Sequence, residues 1–183
     1  DEAYAIADEI DDVIGGKLNY AFDERIGYLT QCPTNLGTGL RASVMLHLPA
    51  ISATGYIKPL VNLMTKLGLC VRGLYGEGSD AKGCMYQLSN QITLGIGEEK
   101  TIEKLMSITN QIIKTERELR ERIKAENTTD LADKLYRSYG TLRYAKKISS
   151  NEAMGLLSNV KLGVNLGIIN EVSDTDITRL MII

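Results

Sequence analysis

The chain has 183 residues with 44% hydrophobic and 24% charged residues and a formal net charge of −2, enough to bury a core in one domain, or in one domain plus a small helical appendage. Near neutrality with dispersed basic residues, no Trp and a single Phe argue against a nucleic-acid footprint or a base-stacking surface. No apolar run approaches the ~20 residues of a membrane span, no secretory leader opens the chain, and three cysteines without metal-ligand spacing point to reduced thiols and a cytoplasmic protein.

In chain order, residues 1–14 are acidic, with Tyr4, Ile6, Ala7, Ile10 and Ile14 at helical spacing, and Gly15-Gly16 ends that helix. Two short strands, 18–22 and 26–30, read as a hairpin around Asp23-Glu24-Arg25. Cys32 and Pro33 then open a loop punctuated by Asn35, Gly37 and Gly39. Residues 40–48 follow as a strand. Arg41, Ser43, Met45 and His47 point one way and Ala42, Val44, Leu46 and Leu48 the other, because strand side chains alternate. A face led by an arginine and a hydroxyl, beside a loop rich in backbone N–H groups, suits an anion.

A helix is expected from about 50 to 67, kinked or begun at Pro59, then a strand over 69–75, a glycine-punctuated loop over 76–83 and a strand over 84–94. The second half is helical. Ile102, Leu105, Ile108, Ile112, Leu119 and Ile123 line one side of a helix over about 98–125, whose charged run 116–124 alternates in sign and reads as a solvated face. A second helix spans about 129–148. Ser149 and Glu152 have capping-box spacing for a third, 163–169 reads as a buried connector, and Ser173 with Asp176 caps a last helix. Strands first and helices after predict an α+β domain with an antiparallel sheet backed by helices.

Three stretches carry a resemblance: Cys32-Pro33-Thr34-Asn35-Leu36-Gly37-Thr38 with Arg41-Ala42-Ser43-Val44, then Arg72-Gly73-Leu74-Tyr75-Gly76-Glu77, then Met85-Tyr86-Gln87-Leu88-Ser89-Asn90. Their content and order resemble the ATP:guanido phosphotransferases. The resemblance implies an antiparallel catalytic sheet flanked by helices and ATP with Mg²⁺. It implies nucleotide contacts from Arg41, Ala42, Ser43, Val44 and Met45 and from Arg72, Gly73, Leu74, Tyr75, Gly76 and Glu77. Glu77 is expected as one of two carboxylates that clamp the acceptor guanidinium and help remove its proton. Cys32 is expected as the reactive thiol that orients it. The phosphates and water would hold the metal, so no protein metal ligand is expected.

Animal members carry a histidine where Met45 stands, which favours the bacterial branch. The helical sequence after the catalytic part, with Tyr136-Arg137-Ser138-Tyr139-Gly140 and Lys161-Leu162-Gly163-Val164-Asn165-Leu166-Gly167, resembles the C-terminal region of bacterial protein-arginine kinases. The expected organisation is 1–126 as the C-terminal portion of the catalytic domain and 127–183 as a helical extension for interaction or dimerisation.

The partners implied are proteins with exposed arginines, a Clp-type protease machinery, an activator protein and a second copy of the chain. No starting Met, an opening inside a helix and an apolar last segment suggest a fragment. The resemblance places further nucleotide-binding arginines and the second carboxylate upstream, so the fragment by itself is expected to be inactive. Two alternatives remain open at this point: a free-arginine kinase, and a non-catalytic interaction module with a vestigial nucleotide site.

Overall fold

A computed structural model describes residues 2–73, 81–126 and 128–182. The expectations for Leu74, Tyr75, Gly76 and Glu77, and for the rest of the 76–83 loop up to 80, lie outside the described residues.

The acidic opening forms α1 (Glu2–Gly15). None of its residues is buried, and Ile6, Ile10, Val13 and Ile14 are exposed. The expected hairpin is much shorter than the hydrophobic pattern suggested. Strands β1 (Phe22–Asp23) and β2 (Gly27–Tyr28) pair over two rungs only. The reason lies at Gly27, which turns at φ +95° against Gly37; a Cβ there would stand 2.5 Å from the Gly37 carbonyl oxygen. Tyr28 is thereby diverted to exchange backbone hydrogen bonds with Gly37.

The main sheet has three antiparallel strands, β3 (Ser43–His47), β4 (Leu69–Gly73) and β5 (Met85–Asn90), in the order β3-β5-β4. Alternation along β3 follows the sequence pattern: Ser43 and Met45 are exposed, whereas Leu46 and Leu48 are buried. Regular pairing starts at Ser43, not at residue 40, and ends at Asn90, not at 94.

The single helix expected over 50–67 is two. α2 (Pro49–Ala53) and α3 (Ile57–Lys66) are separated by a turn in which Gly55 takes φ +75°. Pro49 at the start of α2 needs no N–H donor there, and Pro59 sits in the first turn of α3, where it is tolerated.

Four helices complete the chain: α4 (Glu98–Glu126), α5 (Thr128–Tyr144), α6 (Ser150–Asn165) and α7 (Asp174–Ile182). Ser149 caps α6 by accepting from the Glu152 N–H at 3.3 Å, and Ser173 caps α7 by accepting from the Asp176 N–H at 3.1 Å. The segment 163–169 is not a connector throughout, because α6 runs through Gly163 to Asn165. Gly163 serves packing: a Cβ on it would lie 2.7 Å from Ile169 Cδ1, so the glycine admits the returning chain against the helix.

Two cores result. One packs Val44, Leu46, Leu69, Leu88 and Val71 of the sheet against α2, α3 and the Leu105/Ile112 side of α4. The other gathers Leu135, Met154, Leu157, Val160, Ile177 and Met181 from α5, α6 and α7 around Met85 of β5. The sheet is therefore covered on its apolar face, where Leu46, Leu69 and Leu88 are buried and Val44 and Val71 half-buried. On the opposite face α6 covers the His47/Met85 end, while Ser43, Met45 and Arg72 remain exposed among the described residues.

Candidate active site

Antiparallel partners lie on the same side of a sheet, so register decides which side chains share the open face. Met45 and Arg72 are both opposite Gln87, and Ser43 and Cys70 are both opposite Ser89. Two cross-strand rows, Met45–Gln87–Arg72 and Ser43–Ser89–Cys70, thus lie side by side. Gln87 Nε2 donates to Ser43 Oγ at 3.0 Å and ties the rows together. Arg41 leads the same side, two residues ahead of Ser43, and is exposed like Arg72. Contrary to expectation, Arg41 is not within the regular strand. Its segment is instead held by Asn90, which bonds both backbone groups of Ala42.

Arg41 and Arg72, 31 positions apart in sequence, are both exposed; Arg72 shares its sheet face with Ser43 and Met45, and alternation past Ala42, which packs on the apolar core, puts Arg41 on that side. Two permanent cations, one on β4 and one on the segment that leads into β3, suit a polyphosphate, since guanidinium binds phosphate oxygens through a planar fork. Met45 is 43% exposed, which leaves its thioether free to pack against a flat apolar ring.

Cys32 enters the 3₁₀ turn Pro33–Asn35 with its thiol exposed. Its Sγ lies 3.0 Å from Thr34 Oγ1. Hydrogen bonding from the Thr34 hydroxyl and backbone, with a smaller contribution from the Arg41 charge, lowers the thiol pKa from its ordinary value. The loop thus brings the thiol and the leading arginine within electrostatic reach of each other. A lowered thiol pKa makes the thiolate more accessible than in a free cysteine, and a thiolate attracts a cationic group.

His47 is on the same strand face as Met45 but at its covered end. Its Nε2 lies 2.8 Å from Ser158 Oγ of α6, and burial is the main cause that pushes its pKa down to about 3. It is a neutral packing group between sheet and helix.

A cavity of about 510 Å³ lies elsewhere, beneath α1. Asp8, Asp11 and Glu98 line it with Tyr4, Tyr20 and Tyr28, and neither arginine does. That negative wall would repel phosphates. Among the described residues there is no group of three or more His, Cys, Asp or Glu side chains that could hold a metal ion, and no helix is long and apolar enough to cross a membrane.

The sequence model described as "ATP:guanido phosphotransferase, C-terminal catalytic domain" matches residues 1–119. The chain belongs to the ATP:guanido phosphotransferase family. A second model, "Protein-arginine kinase McsB C-terminal domain", matches residues 128–183.

Curated relatives named protein-arginine kinase agree along the whole length. The protein of Halalkalibacterium halodurans is 50% identical over 100% of this chain and 51% of its own length. That of Exiguobacterium sp. is 49% identical over 99% of this chain and 52% of its own. That of Clostridium acetobutylicum is 48% identical over 100% and 54%. The chain thus spans about half the length of these relatives.

Among solved structures, lombricine kinase is similar at TM-score 0.50 and 33% identity, covering 60% of this chain and 29% of that one. The duplicated taurocyamine kinase from Schistosoma mansoni, with bound transition-state analogue components, is similar at TM-score 0.56 and 27% identity, covering 81% and 23%.

The sequence motifs single out Cys32, Arg41 and Arg72 as candidates but give no role to Asn90 and do not single out Thr93, the residues beneath the loop that carries two of them. Their partners lie 48 to 59 positions away, so no local pattern announces them.

Proposed function

We propose that the full-length protein is a bacterial protein-arginine kinase that transfers the γ-phosphoryl group of ATP to a guanidinium nitrogen of protein arginines. The observation that carries this reading is the union in one chain of a guanido phosphotransferase catalytic region and a protein-arginine kinase C-terminal region. Residues 1–126 are read as part of the catalytic domain and 127–183 as an interaction or dimerisation extension.

In this reading Arg41 and Arg72 neutralise and align the phosphates, with residues 42–45 and 73–77 completing the nucleotide contacts. Phosphoryl transfer asks mainly for positioning and charge stabilisation, which guanidinium groups on a sheet supply. The acceptor must lose a proton as the N–P bond forms and the bond from γ-phosphorus to the ADP oxygen breaks. Glu77 is the group we assign to hold the guanidinium and help take that proton. Cys32 orients the acceptor as a thiolate and forms no phosphoryl intermediate. Mg²⁺ accompanying ATP would be held by phosphate oxygens and water, in keeping with its reluctance to dehydrate. Reduced thiols fit a cytoplasmic setting. The partners we assign are a Clp-type protease machinery, an activator protein and a second copy of the chain.

The test is acceptor competition in the full-length protein. With Mg-ATP, a protein substrate and free arginine together, acid-labile phosphate should appear on protein arginines, identified by mass spectrometry. Glu77→Gln should lower kcat by about 10²–10⁴-fold, and Arg41→Ala and Arg72→Ala should weaken nucleotide binding. Phosphate delivered chiefly to the free amino acid would overturn the assignment of acceptor.

A further inference from the structure

The third sequence stretch of the family resemblance ends at Asn90, and the proposed chemistry gives that residue nothing to do. Asn90 is only 3% exposed. It stands opposite Leu69 at the last rung of the sheet, on the apolar side, where a polar side chain needs good partners to be tolerated.

Its partners are all backbone groups near the active face. Its Oδ1 accepts from the Ala42 N–H at 2.8 Å, and its Nδ2 donates to the Leu40 carbonyl at 3.0 Å and toward the Ile92 carbonyl at 3.4 Å. Its own N–H donates to the Ala42 carbonyl at 3.2 Å. One side chain and one amide therefore hold the residues on both sides of Arg41, just ahead of the first regular rung at Ser43.

Thr93 does the same for the preceding loop. It is 5% exposed, and its hydroxyl lies 3.0 Å from the Thr34 carbonyl and 2.8 Å from that of Leu36. Its own carbonyl accepts from the Thr38 N–H at 3.1 Å. Gly37 is pressed so closely on this segment that a Cβ would stand 2.3 Å from the Thr93 oxygen. The whole run from 34 to 42 rests on the segment 90–93.

We propose that Asn90 is a positioning residue for nucleotide binding, acting through Arg41 by clamping the Leu40 carbonyl and the Ala42 N–H on either side of it. The proposal rests on the reading of Arg41 as a phosphate contact. A guanidinium on a frayed strand end would have to be ordered on each binding event, whereas the clamp orders its backbone beforehand.

The experiment is a double-mutant cycle on the full-length protein, reading the Kd for Mg-ADP by calorimetry in the unsubstituted protein, Arg41→Ala, Asn90→Ala and the double variant. Asn90→Ala should weaken binding about tenfold and add nothing further once Arg41 is gone, which is the sign of action through that residue. Losses that multiply in the double variant would make Asn90 a general structural residue and overturn the inference. So would an unchanged Kd in Asn90→Ala when Arg41→Ala is impaired. An unchanged Kd in Arg41→Ala would remove the underlying site reading, and the inference with it.

A second measurement covers the case of an unfolded variant. In the unsubstituted protein the Ala42 amide should exchange slowly with solvent deuterium, and more slowly with Mg-ADP bound. Exchange at the rate of exposed loop amides would also overturn the clamp.

Discussion

At the scale of the residue, His47 gives the clearest pH-dependent consequence. Its Nδ1 is buried without a hydrogen-bond partner and its Nε2 meets Ser158. Burial first, then the charges of Arg120 and Lys161, lower its pKa from 6.5 to about 3. The unfolded chain therefore binds a proton at this site between about pH 3 and 6.5 that the folded chain refuses, and stability rises with pH across that window. The contribution is complete above the unfolded pKa and is lost on acidification. The slope for one proton is ~1.4 kcal/mol per pH unit. Urea unfolding between pH 4.5 and 6.5, above most carboxylate titrations, should show it, and His47→Gln should flatten the curve. Identical slopes in the two proteins would mean that the imidazole is solvated. A histidine at an alternating position reads in sequence as one more member of the polar face; only the arrival of α6 over that end of the sheet makes it a neutral core group.

At the scale of the element, α4 illustrates what a sequence pattern can and cannot reveal. The apolar side of the helix and its extent were legible from the spacing of Leu105, Ile108, Ile112 and Leu119. Its charged run was read as a solvated face, and for Glu116, Arg120 and Lys124 that is wrong. Glu116 is 3% exposed and accepts from the Ala50 and Ile51 N–H groups at 3.0 and 2.9 Å, at the start of α2. Arg120 bonds Glu116 at 2.7 Å, Asn165 of α6 at 2.9 Å and the His47 carbonyl at 3.0 Å. Lys124 donates to the Leu166 carbonyl at the end of α6 at 2.8 Å.

The three lie four residues apart, on one stripe that crosses from the sheet core to the helical core. Charge alternation alone could not distinguish them from Arg122 and Glu126, which pair in solvent. The same limitation explains the missed break at Gly55: a glycine inside an apolar pattern reads equally well as a tolerated helix residue, and only the packing of α3 selects the turn. Arg120→Ala would leave the Glu116 carboxylate buried without its cation, at a cost of about 3–5 kcal/mol. Arg122→Ala should cost under ~1 kcal/mol. Chemical denaturation of the two variants measures the difference, and equal small losses would mean that water replaces the guanidinium.

At the scale of the whole molecule, the first family match ends at residue 119, inside α4, and the second begins at residue 128, where α5 starts, yet the contacts disregard the division. Met85 belongs by sequence to the catalytic sheet and by packing to the helical core. His47 reaches Ser158, Arg120 reaches Asn165, and Lys124 reaches Leu166. Each is a polar or apolar group of residues 1–126 whose partner lies in 127–183. Removing 127–183 would therefore expose the Met85 end of the sheet and strip the imidazole, the guanidinium and the ammonium of these bonds at once. The open end, with Arg41 and Arg72, would keep its covering of apolar side chains beneath and its clamp at Asn90.

This predicts a graded outcome. A 1–126 variant should retain the three-stranded sheet, lose several kcal/mol of stability and bind a hydrophobic dye, with the backbone around Met85 and His47 exchanging fastest. In the intact chain the same contacts should make both cores unfold together, so that near-ultraviolet circular dichroism and helix content melt in one transition. Two separated transitions, with the helical one leaving amide protection at Met85 unchanged, would mean that the halves are independent and that the helical region only rests against the sheet. A single transition would instead make the helical region part of what holds the strands bearing Met45 and Arg72 in place, so that an event on its outer surface would be felt at Met45, two residues from His47 on the same strand.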